Sequence, residues 1–204
     1  PALEIGIGTG RVALPLQNRG VEVHGIDASQ RMVDKLRVKP GGESLPISIG
    51  DMSDVDGPAG QYSLVFVVFN TFYAMNSQKA QVKCFSNVSD RLPTGGRFLI
   101  RGFVPDLERY SRRQNVAVVR NGVDEVRTDY ATVDPVTQVI KANHIVMSRG
   151  EVNTYPTVLR YCWPGELNLM ARLAGMELEG RWADWTKAPF KSLSESYISV
   201  YRKS

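Results

Sequence analysis

The sequence has few of the features that mark secreted proteins, membrane proteins or metal-binding modules. Its 204 residues include only two cysteines, Cys84 and Cys162, whose wide separation fits neither a disulfide framework nor a paired metal site. The longest purely apolar run, residues 64–69, is far shorter than the roughly 20 residues that cross a bilayer. We therefore expect a cytoplasmic protein that holds no metal and binds no membrane.

No single sign of charge dominates the sequence. It has 25 lysines and arginines against 21 aspartates and glutamates, a formal net charge of +4. The basic residues are dispersed, and no run of them is longer than the pair Arg112-Arg113. Because a nucleic-acid-binding surface gathers its positive charges on one face, this dispersion argues against a nucleic-acid partner. Hydrophobic residues at 43% and charged residues at 23% are typical of a globular domain and exclude a disordered or fibrous chain.

The first hundred residues alternate between strand and helix signals. Strands are predicted over 3–7, 22–26, 47–49, 62–69 and 96–102, and helices over 11–19, 29–39 and 77–92. This alternation predicts an α/β fold, with a Rossmann-like, doubly wound and mainly parallel sheet that carries helices on both faces.

The pattern changes after residue 102. Strand-like segments at 116–120, 126–133, 139–147 and 152–161 are joined by short turns, which predicts an antiparallel β-meander inserted into the fold. The dipeptide Asn121-Gly122 predicts a two-residue type I′ turn, because both central positions of that turn need positive φ. A helix over 164–174 and two strands, 176–182 and 197–201, are predicted to close the chain.

Three alternating glycines follow the first predicted strand and open the first predicted helix. The segment runs from Glu4 through Gly6, Gly8 and Gly10 to Arg11. Glycines here let a ligand lie against bare backbone at a helix N-terminus. A dinucleotide fingerprint would have its third glycine at the position of Arg11, and a carboxylate at Glu4 would repel a pyrophosphate but attract an ammonium group. The alternative is an ordinary tight turn between strand and helix.

Acidic residues follow the next two predicted strands. Asp27 stands 19 residues after Gly8, where a carboxylate can accept two hydrogen bonds from ribose hydroxyls. Asp51 can accept a hydrogen bond from an exocyclic amine such as that of adenine, with Met52 packing on the ring. Either aspartate alone could be an ordinary turn residue, so the combination with the glycines is what indicates a nucleoside site.

Further motifs continue this series along the chain. They are Gly25-Ile26-Asp27-Ala28-Ser29 with Met32, then Gly50-Asp51-Met52, Phe69-Asn70-Thr71 and Leu92-Pro93-Thr94-Gly95-Gly96. In this order, and with the glycine segment, they resemble the successive motifs of class I S-adenosylmethionine-dependent methyltransferases over residues 3 to about 102. Residues 160–176 resemble the family's C-terminal part, and the meander loosely resembles the extra sheet of small-molecule members such as the sugar N-methyltransferases.

The resemblance implies that S-adenosylmethionine is the cofactor and S-adenosylhomocysteine the product. It implies that Glu4 and the glycine backbone hold the methionine moiety, Asp27 the ribose, and Asp51 with Met52 the adenine, while Asn70 and Thr71 face the sulfonium. The expected cofactor-binding residues are Glu4, Gly6, Gly8, Gly10, Asp27, Ala28, Met32, Asp51, Met52, Phe69, Asn70 and Thr71.

The resemblance also implies how the chain is organised. We expect one methyltransferase domain over 1–204, with a cofactor-binding half (1–102), the antiparallel insertion (103–163) and a closing helix with strands (164–204). Members usually carry an N-terminal helix or two over the cofactor. Because the numbered sequence opens directly on the first strand, we expect that lid to lie upstream.

The methyl acceptor is expected to be a small molecule with a nitrogen or oxygen nucleophile, for instance an amino sugar. An amine acceptor needs at most a weak base, whereas a hydroxyl must lose its proton in or before the transition state. Tyr73, Arg101 and His144 are the candidate catalytic residues. A homodimer is a further possibility, since long strands outside the main sheet offer an edge for pairing.

Two alternatives stay open at the level of sequence. A nicotinamide-dependent oxidoreductase can share a similar sheet, although Arg11, Glu4 and the meander argue against it. A non-catalytic relative that keeps the fold and binds the cofactor without turnover is the second alternative.

Overall fold

A computed structural model describes residues 1–55 and 61–204 of the chain. These residues form two compact units, which we call the main unit (Pro1–Val104 with Pro164–Ser204) and the meander unit (Pro105–Trp163). None of the helices in the described ranges combines the length and apolar character needed to cross a membrane.

The main unit is built on a seven-stranded sheet. Its strands are β1 (Ala2–Ile5), β2 (Val23–Asp27), β3 (Ile47–Ile49), β4 (Leu64–Val67), β5 (Arg97–Phe103), β10 (Met176–Trp182) and β11 (Ser196–Lys203). The strand order is β3-β2-β1-β4-β5-β11-β10. The first five strands of this order run parallel to one another, and β11 and β10 are antiparallel to their neighbours. The predicted Rossmann-like, mainly parallel sheet is therefore confirmed.

Helices pack on both faces of this sheet. They are α1 (Ala13–Gln17), α2 (Gln30–Arg37), α3 (Gln78–Arg91) and α4 (Pro164–Leu173), with a 3₁₀ turn over Thr71–Ala74. Adjacent residues of β5 show the two layers, because neighbouring side chains of a strand point to opposite faces. Leu99 packs with a cluster that includes Leu16 of α1, whereas Phe98 stacks edge to face on Phe85 of α3 at 5.1 Å between ring centres.

Two elements of the main unit are only about half as long as the sequence predicts. The helix predicted over 11–19 spans only Ala13–Gln17, and the strand predicted over 62–69 spans only Leu64–Val67. The strand ends there because Phe69 and Asn70 both adopt left-handed backbone conformations, with φ of 55° and 66°, which extended pairing cannot accommodate. This early end turns the chain back at the edge of the sheet.

The meander unit holds the four predicted antiparallel strands. They are β6 (Gln114–Asn121), β7 (Glu125–Asp134), β8 (Val139–Ser148) and β9 (Glu151–Arg160), hydrogen-bonded in sequence order. β8 pairs with both neighbours over its full length, from Val139 to Ser148. The antiparallel insertion is therefore confirmed.

The predicted type I′ turn at Asn121-Gly122 is wrong. Asn121 still pairs with Val126, and the amide of Gly122 donates to the carbonyl of Glu125, so the reversal lies further along, at residues 123–124. A register shift between Val118 and Arg120 accompanies this longer ladder. Positive φ at both turn positions occurs instead at Arg149 and Gly150, between β8 and β9.

Candidate active site

The site lies at the carboxyl ends of the parallel strands. β1 pairs with β2 on one side and with β4 on the other, so the strand order reverses at β1. In open α/β sheets, ligands bind in the crevice that such a reversal opens. Glu4 lies near the end of β1, Asp27 ends β2, and Asn70 follows β4, so the crevice brings three predicted site residues to one edge.

Glu4 is a buried acid with unused hydrogen-bonding capacity. Its exposed fraction is 3%, and its Oε2 has no hydrogen-bond partner among the described residues. The pKa of Glu4 is raised to about 8, chiefly by burial; a hydrogen bond from the backbone amide of Ala13 opposes this rise, and the charge of Asp27 adds to it. A buried carboxyl group with one unpaired oxygen is stabilised in its charged form by a cationic hydrogen-bond donor.

Asp27 ties the glycine loop to the start of α2. Its Oδ2 accepts a hydrogen bond from the amide of Gly8 at 2.7 Å, and its Oδ1 accepts one from the amide of Ser29 at 2.8 Å. Each carboxylate oxygen has a second lone pair, so both remain able to accept from a ligand. Asp27 is therefore held rigidly in a position from which it can bind two hydroxyl groups.

Gly6 brings three loops together. Its φ is +71°, and a Cβ at this position would collide with Cγ2 of Thr71 and lie 3.1 Å from Sδ of Met52. Thr71 follows β4 and Met52 follows β3, so the absent side chain allows both loops to close on the glycine loop. Gly8, with φ +55°, lies beside Met32 of α2, whose Cε would be 3.7 Å from an added Cβ.

Gly10 and Ala28 differ in their surroundings. Gly10 is buried, and a Cβ there would lie 3.0 Å from atoms of both Leu14 and Leu36, so this glycine permits packing between α1 and α2. Ala28 follows Asp27 and is exposed at the edge of the crevice.

The chain leaving β4 has a strained backbone at Phe69 and Asn70, the second and third residues after the strand. Left-handed conformations at non-glycine residues such as Phe69 and Asn70 cost of order 1–3 kcal/mol each and cluster at functional sites. The ring of Phe69 is 49% exposed, and the guanidinium of Arg11 lies 4.2 Å from its centre. Arg101, on β5, donates from Nη1 to Oδ1 of Asn70 at 3.4 Å.

Tyr73, in the 3₁₀ turn that follows β4, is buried beneath the crevice. The side chain is 1% exposed, its hydroxyl donates to the carbonyl of Phe103 at 2.9 Å, and it lies 2.7 Å from the hydroxyl of Tyr197. These contacts fix the 3₁₀ turn to β5 and β11. Of the two candidates in the main unit, the half-buried Arg101 is therefore the more accessible.

Asp51 and Met52 lie just after β3. Asp51 is exposed, and its Oδ1 accepts a hydrogen bond from the amide of Ser53 at 2.8 Å. This bond, together with one from the Ser53 hydroxyl, lowers the pKa of Asp51, so its carboxylate is charged at neutral pH. Met52 is half-buried beside Gly6.

The third candidate, His144, belongs to the meander unit. Its Nδ1 is 2.8 Å from Oδ1 of Asp129, and its Nε2 is 3.2 Å from Oγ1 of Thr157. Sequence reasoning missed Asp129, because only the register of β7 against β8 places it opposite His144. The same holds for the amide of Ala13 at Glu4 and for the contact of Arg11 with Phe69, which no local pattern signals.

Comparison with known proteins agrees with this geometry. A family described as a methyltransferase domain matches residues 2–96. The solved CcbJ methyltransferase from Streptomyces caelestis is 37% identical, with a TM-score of 0.94 over 100% of this chain and 83% of that chain. The chain belongs to the class I S-adenosylmethionine-dependent methyltransferases.

Two further relatives extend the comparison of this methyltransferase. The cypemycin N-terminal methyltransferase from Streptomyces sp is 23% identical over 98% of this chain and 82% of its own length. CalS10 from Micromonospora echinaspora, an amino pentose methyltransferase solved with its cofactor bound, is 17% identical with a TM-score of 0.72 over 99% of this chain and 83% of that chain. At that identity the likeness to CalS10 concerns the fold alone.

The cofactor of this methyltransferase is S-adenosylmethionine. The residues at the crevice fit that molecule, because Glu4 has a buried oxygen with no partner among the residues that the structure describes, and Gly6 exposes bare backbone beside it. The family decides against the nicotinamide-dependent oxidoreductase and against a relative without enzymatic activity.

Proposed function

We propose that this methyltransferase transfers a methyl group to an amine nitrogen of a small molecule, such as an amino sugar or a related natural-product intermediate. The observation that carries the proposal is the state of Tyr73. Its hydroxyl is buried and donates to the carbonyl of Phe103, so it is not available to remove a proton from an acceptor. An amine needs far less help from a base than a hydroxyl does.

The remaining side chains near the ends of β4 and β5 support the same choice. Asn70 offers an amide and Arg101 a permanent cation, and neither group acts as a base at neutral pH. Among the relatives, KedS8 is a sugar N-methyltransferase, MtfA is a glycopeptide N-methyltransferase, and the cypemycin enzyme is an N-terminal methyltransferase.

The proposed roles of the cofactor-binding residues follow from their chemistry. Glu4 pairs with the amino group of the methionine moiety, Asp27 accepts from the ribose hydroxyls, and Asp51 with Met52 holds the adenine. Asn70 and Thr71 line the sulfonium side. Three acidic side chains suit a ligand that carries positive charge on both its sulfonium and its amino group.

When bound, the cofactor supplies a methyl group already activated by the positive sulfur. The chain's own contribution is to orient the acceptor nitrogen in line with that methyl group and to exclude water. The acceptor amine must be unprotonated to attack, and the proton that it loses can pass to solvent.

The proposal is tested by incubating the purified chain with S-adenosylmethionine and matched acceptors. Each acceptor is offered as an amine and as the alcohol of the same skeleton, for example glucosamine and glucose, alongside free amino acids and short peptides. We expect S-adenosylhomocysteine and an N-methylated product with at least one amine by mass spectrometry, and no product with its matched alcohol.

Asp27→Ala serves as the site control in the same assay. We expect its affinity for the cofactor to be lower by one to two orders of magnitude, since two charged hydrogen bonds are lost, about 1.5–3 kcal/mol. Methylation of an alcohol in preference to its matched amine would contradict the proposal. Unchanged cofactor affinity in Asp27→Ala would contradict the ribose assignment alone.

A further inference from the structure

A group of polar side chains occupies one face of the meander sheet, and the proposed roles above do not use it. We call Arg127, Asp129, His144 and Thr157 the polar cluster. Asp129 on β7 lies directly opposite His144 on β8. Thr157 on β9 lies opposite Ala142, two residues from His144, and therefore projects from the same face. Arg127 is two residues from Asp129 and shares that face.

The hydrogen bonds in the cluster define which groups donate and which accept. His144 Nδ1 lies 2.8 Å from Oδ1 of Asp129, so in the neutral ring this nitrogen carries the proton and donates it to the carboxylate. His144 Nε2 is then an acceptor, and the hydroxyl of Thr157 donates to it at 3.2 Å. Arg127 Nη2 is 3.4 Å from Nδ1, a close approach of two donors, while Arg127 Nε donates to Oδ1 of Asp129 at 3.4 Å.

This arrangement leaves donors and acceptors side by side. In the described part of the chain, the contacts of Asp129 all involve Oδ1, so Oδ2 can accept from a ligand. The hydroxyl of Thr157 donates its hydrogen bond to His144, and the lone pairs of its oxygen can still accept one. Arg127 has further N–H groups that can donate. A bound group must therefore both donate and accept over a short distance.

The polar cluster holds charged and ionisable side chains in a partly buried position on the sheet. The side chains of Asp129 and His144 are only 22% and 25% exposed, and aspartate is depleted in strands. A cross-strand charge pair stabilises a sheet by only about 0.2–1 kcal/mol. Removing a carboxylate from water commonly costs more than that. Such a cluster is better explained by a ligand than by stability.

We propose that the polar cluster binds neighbouring hydroxyl groups of a sugar-like small molecule. A hydroxyl both donates and accepts, so two adjacent ones can donate to Asp129 and accept from Arg127, with Thr157 as a second acceptor. An anion would meet the carboxylate of Asp129, and a cation would meet the guanidinium of Arg127. Tyr155, 55% exposed and opposite His144 on β9, adds an aromatic surface on the same face.

The inference concerns binding to the meander unit alone, and this binding can be measured without any cofactor. The chain has two histidines, and His24 provides an internal reference because its ring bonds to Tyr62 and Glu22 in the main unit. The full chain is titrated with methyl glucoside, methyl galactoside and methyl mannoside while the ring signals of both histidines are followed by NMR. Cyclohexanol, which has a ring but no neighbouring hydroxyls, is the control probe.

We expect at least one of the three glycosides to shift the His144 signals and to leave those of His24 unchanged, whereas cyclohexanol shifts neither. Thr157→Val should weaken this binding on the order of fivefold, through the loss of one hydrogen bond. Thr132→Val is the matched control, because Thr132 is exposed on the opposite face of β7.

Three results would overturn the inference: no shift of His144 with any glycoside, an equal shift with cyclohexanol, or unchanged affinity in Thr157→Val. If binding fails while amines are still methylated, the proposed function stands and only the hydroxyl site is wrong. If a glycoside binds at His144 but no amine is methylated, the hydroxyl site stands and the proposed function is wrong.

Discussion

Glu4 lies between residues that bury apolar side chains in the first strand of the sheet. Glu4 is itself 3% exposed and Leu3 and Ile5 are 4% and 0% exposed, so both faces of the strand are covered and the carboxyl group has lost most of its contact with water. Because burial disfavours the charged form, the pKa of Glu4 is raised to about 8 and the free protein holds this acid mostly protonated at neutral pH. The residue that we assign to the cofactor's amino group is therefore one that the empty enzyme keeps uncharged.

This protonation makes the stability of the free enzyme depend on pH. The folded-state pKa of about 8 exceeds the ordinary value of 4.5, so the contribution of Glu4 is fully present below about pH 4.5 and is lost as pH rises through about 8. We expect thermal unfolding to show wild type losing stability relative to Glu4→Gln over this window, by a few kcal/mol at most. If the stability difference between the two proteins stays constant from pH 5 to about 9, this prediction is contradicted.

The sequence was sufficient to predict the position of Glu4 but not its state. An acid before alternating glycines can be read from the chain, and so can Asp27 one strand later. The missing partner of Oε2 and the amide of Ala13 depend on how α1 packs against β1, which no residue pattern encodes. His144 was predicted in the same way without Asp129, because strand register decides that pair.

At the scale of elements, the site depends on how closely the glycine loop approaches the turn after β4. Gly6 allows that approach, since an added Cβ would collide with the methyl group of Thr71. We expect Gly6→Ala to be less stable than wild type by at least about 2 kcal/mol, from a strained backbone together with overpacking. Chemical denaturation measures this difference.

Gly20→Ala is the matched control for this substitution. Gly20 also has a positive φ, +83°, but an added Cβ there would have no atom within 4 Å, so only the backbone cost of about 1 kcal/mol remains. Removing the Thr71 methyl group in Gly6→Ala/Thr71→Ser should restore part of the lost stability. Equal losses in Gly6→Ala and Gly20→Ala would show that the contact with Thr71 is unimportant.

The elements themselves were largely predictable, and the errors have identifiable causes. Alternating strand and helix signals predicted the parallel sheet because each βαβ unit leaves its own periodicity in the chain. The turn at Asn121-Gly122 was placed wrongly because dipeptide preference competes with the register of a whole hairpin, and the ladder continues past Asn121. The early end of β4 at Val67 reflects the left-handed residues Phe69 and Asn70, whose side chains give no signal of that conformation.

At the scale of the whole molecule, net charge says little about the ligand. The chain carries +4, yet three acids of the described residues, Glu4, Asp27 and Asp51, lie at or near the strand ends of the crevice. The charge of Asp27 helps to raise the pKa of Glu4, so a positively charged ligand offsets the repulsion that arises when Glu4 ionises. The positions of these few acids therefore say more about the charge of the ligand than the net charge of the chain does.

Function was predictable to the level of the cofactor and no further. The residues that we propose to hold the cofactor are backbone turns and acids in a fixed order, which a single sequence displays as motifs. The methyl acceptor has no such code, because a candidate contact such as Arg101 is brought near Asn70 only by the fold.

The most direct test of the account is a count of the protons released when the cofactor binds. Full-length chain is titrated with S-adenosylmethionine by calorimetry near pH 6.5, in two buffers of different ionisation enthalpy, and Glu4→Gln is titrated in the same way. A protonated Glu4 must ionise to pair with the cofactor's amino group, so wild type should release close to one proton more than Glu4→Gln and bind at least about tenfold more tightly. Equal proton release and equal affinity in the two proteins would contradict the claim that Glu4 holds the cofactor.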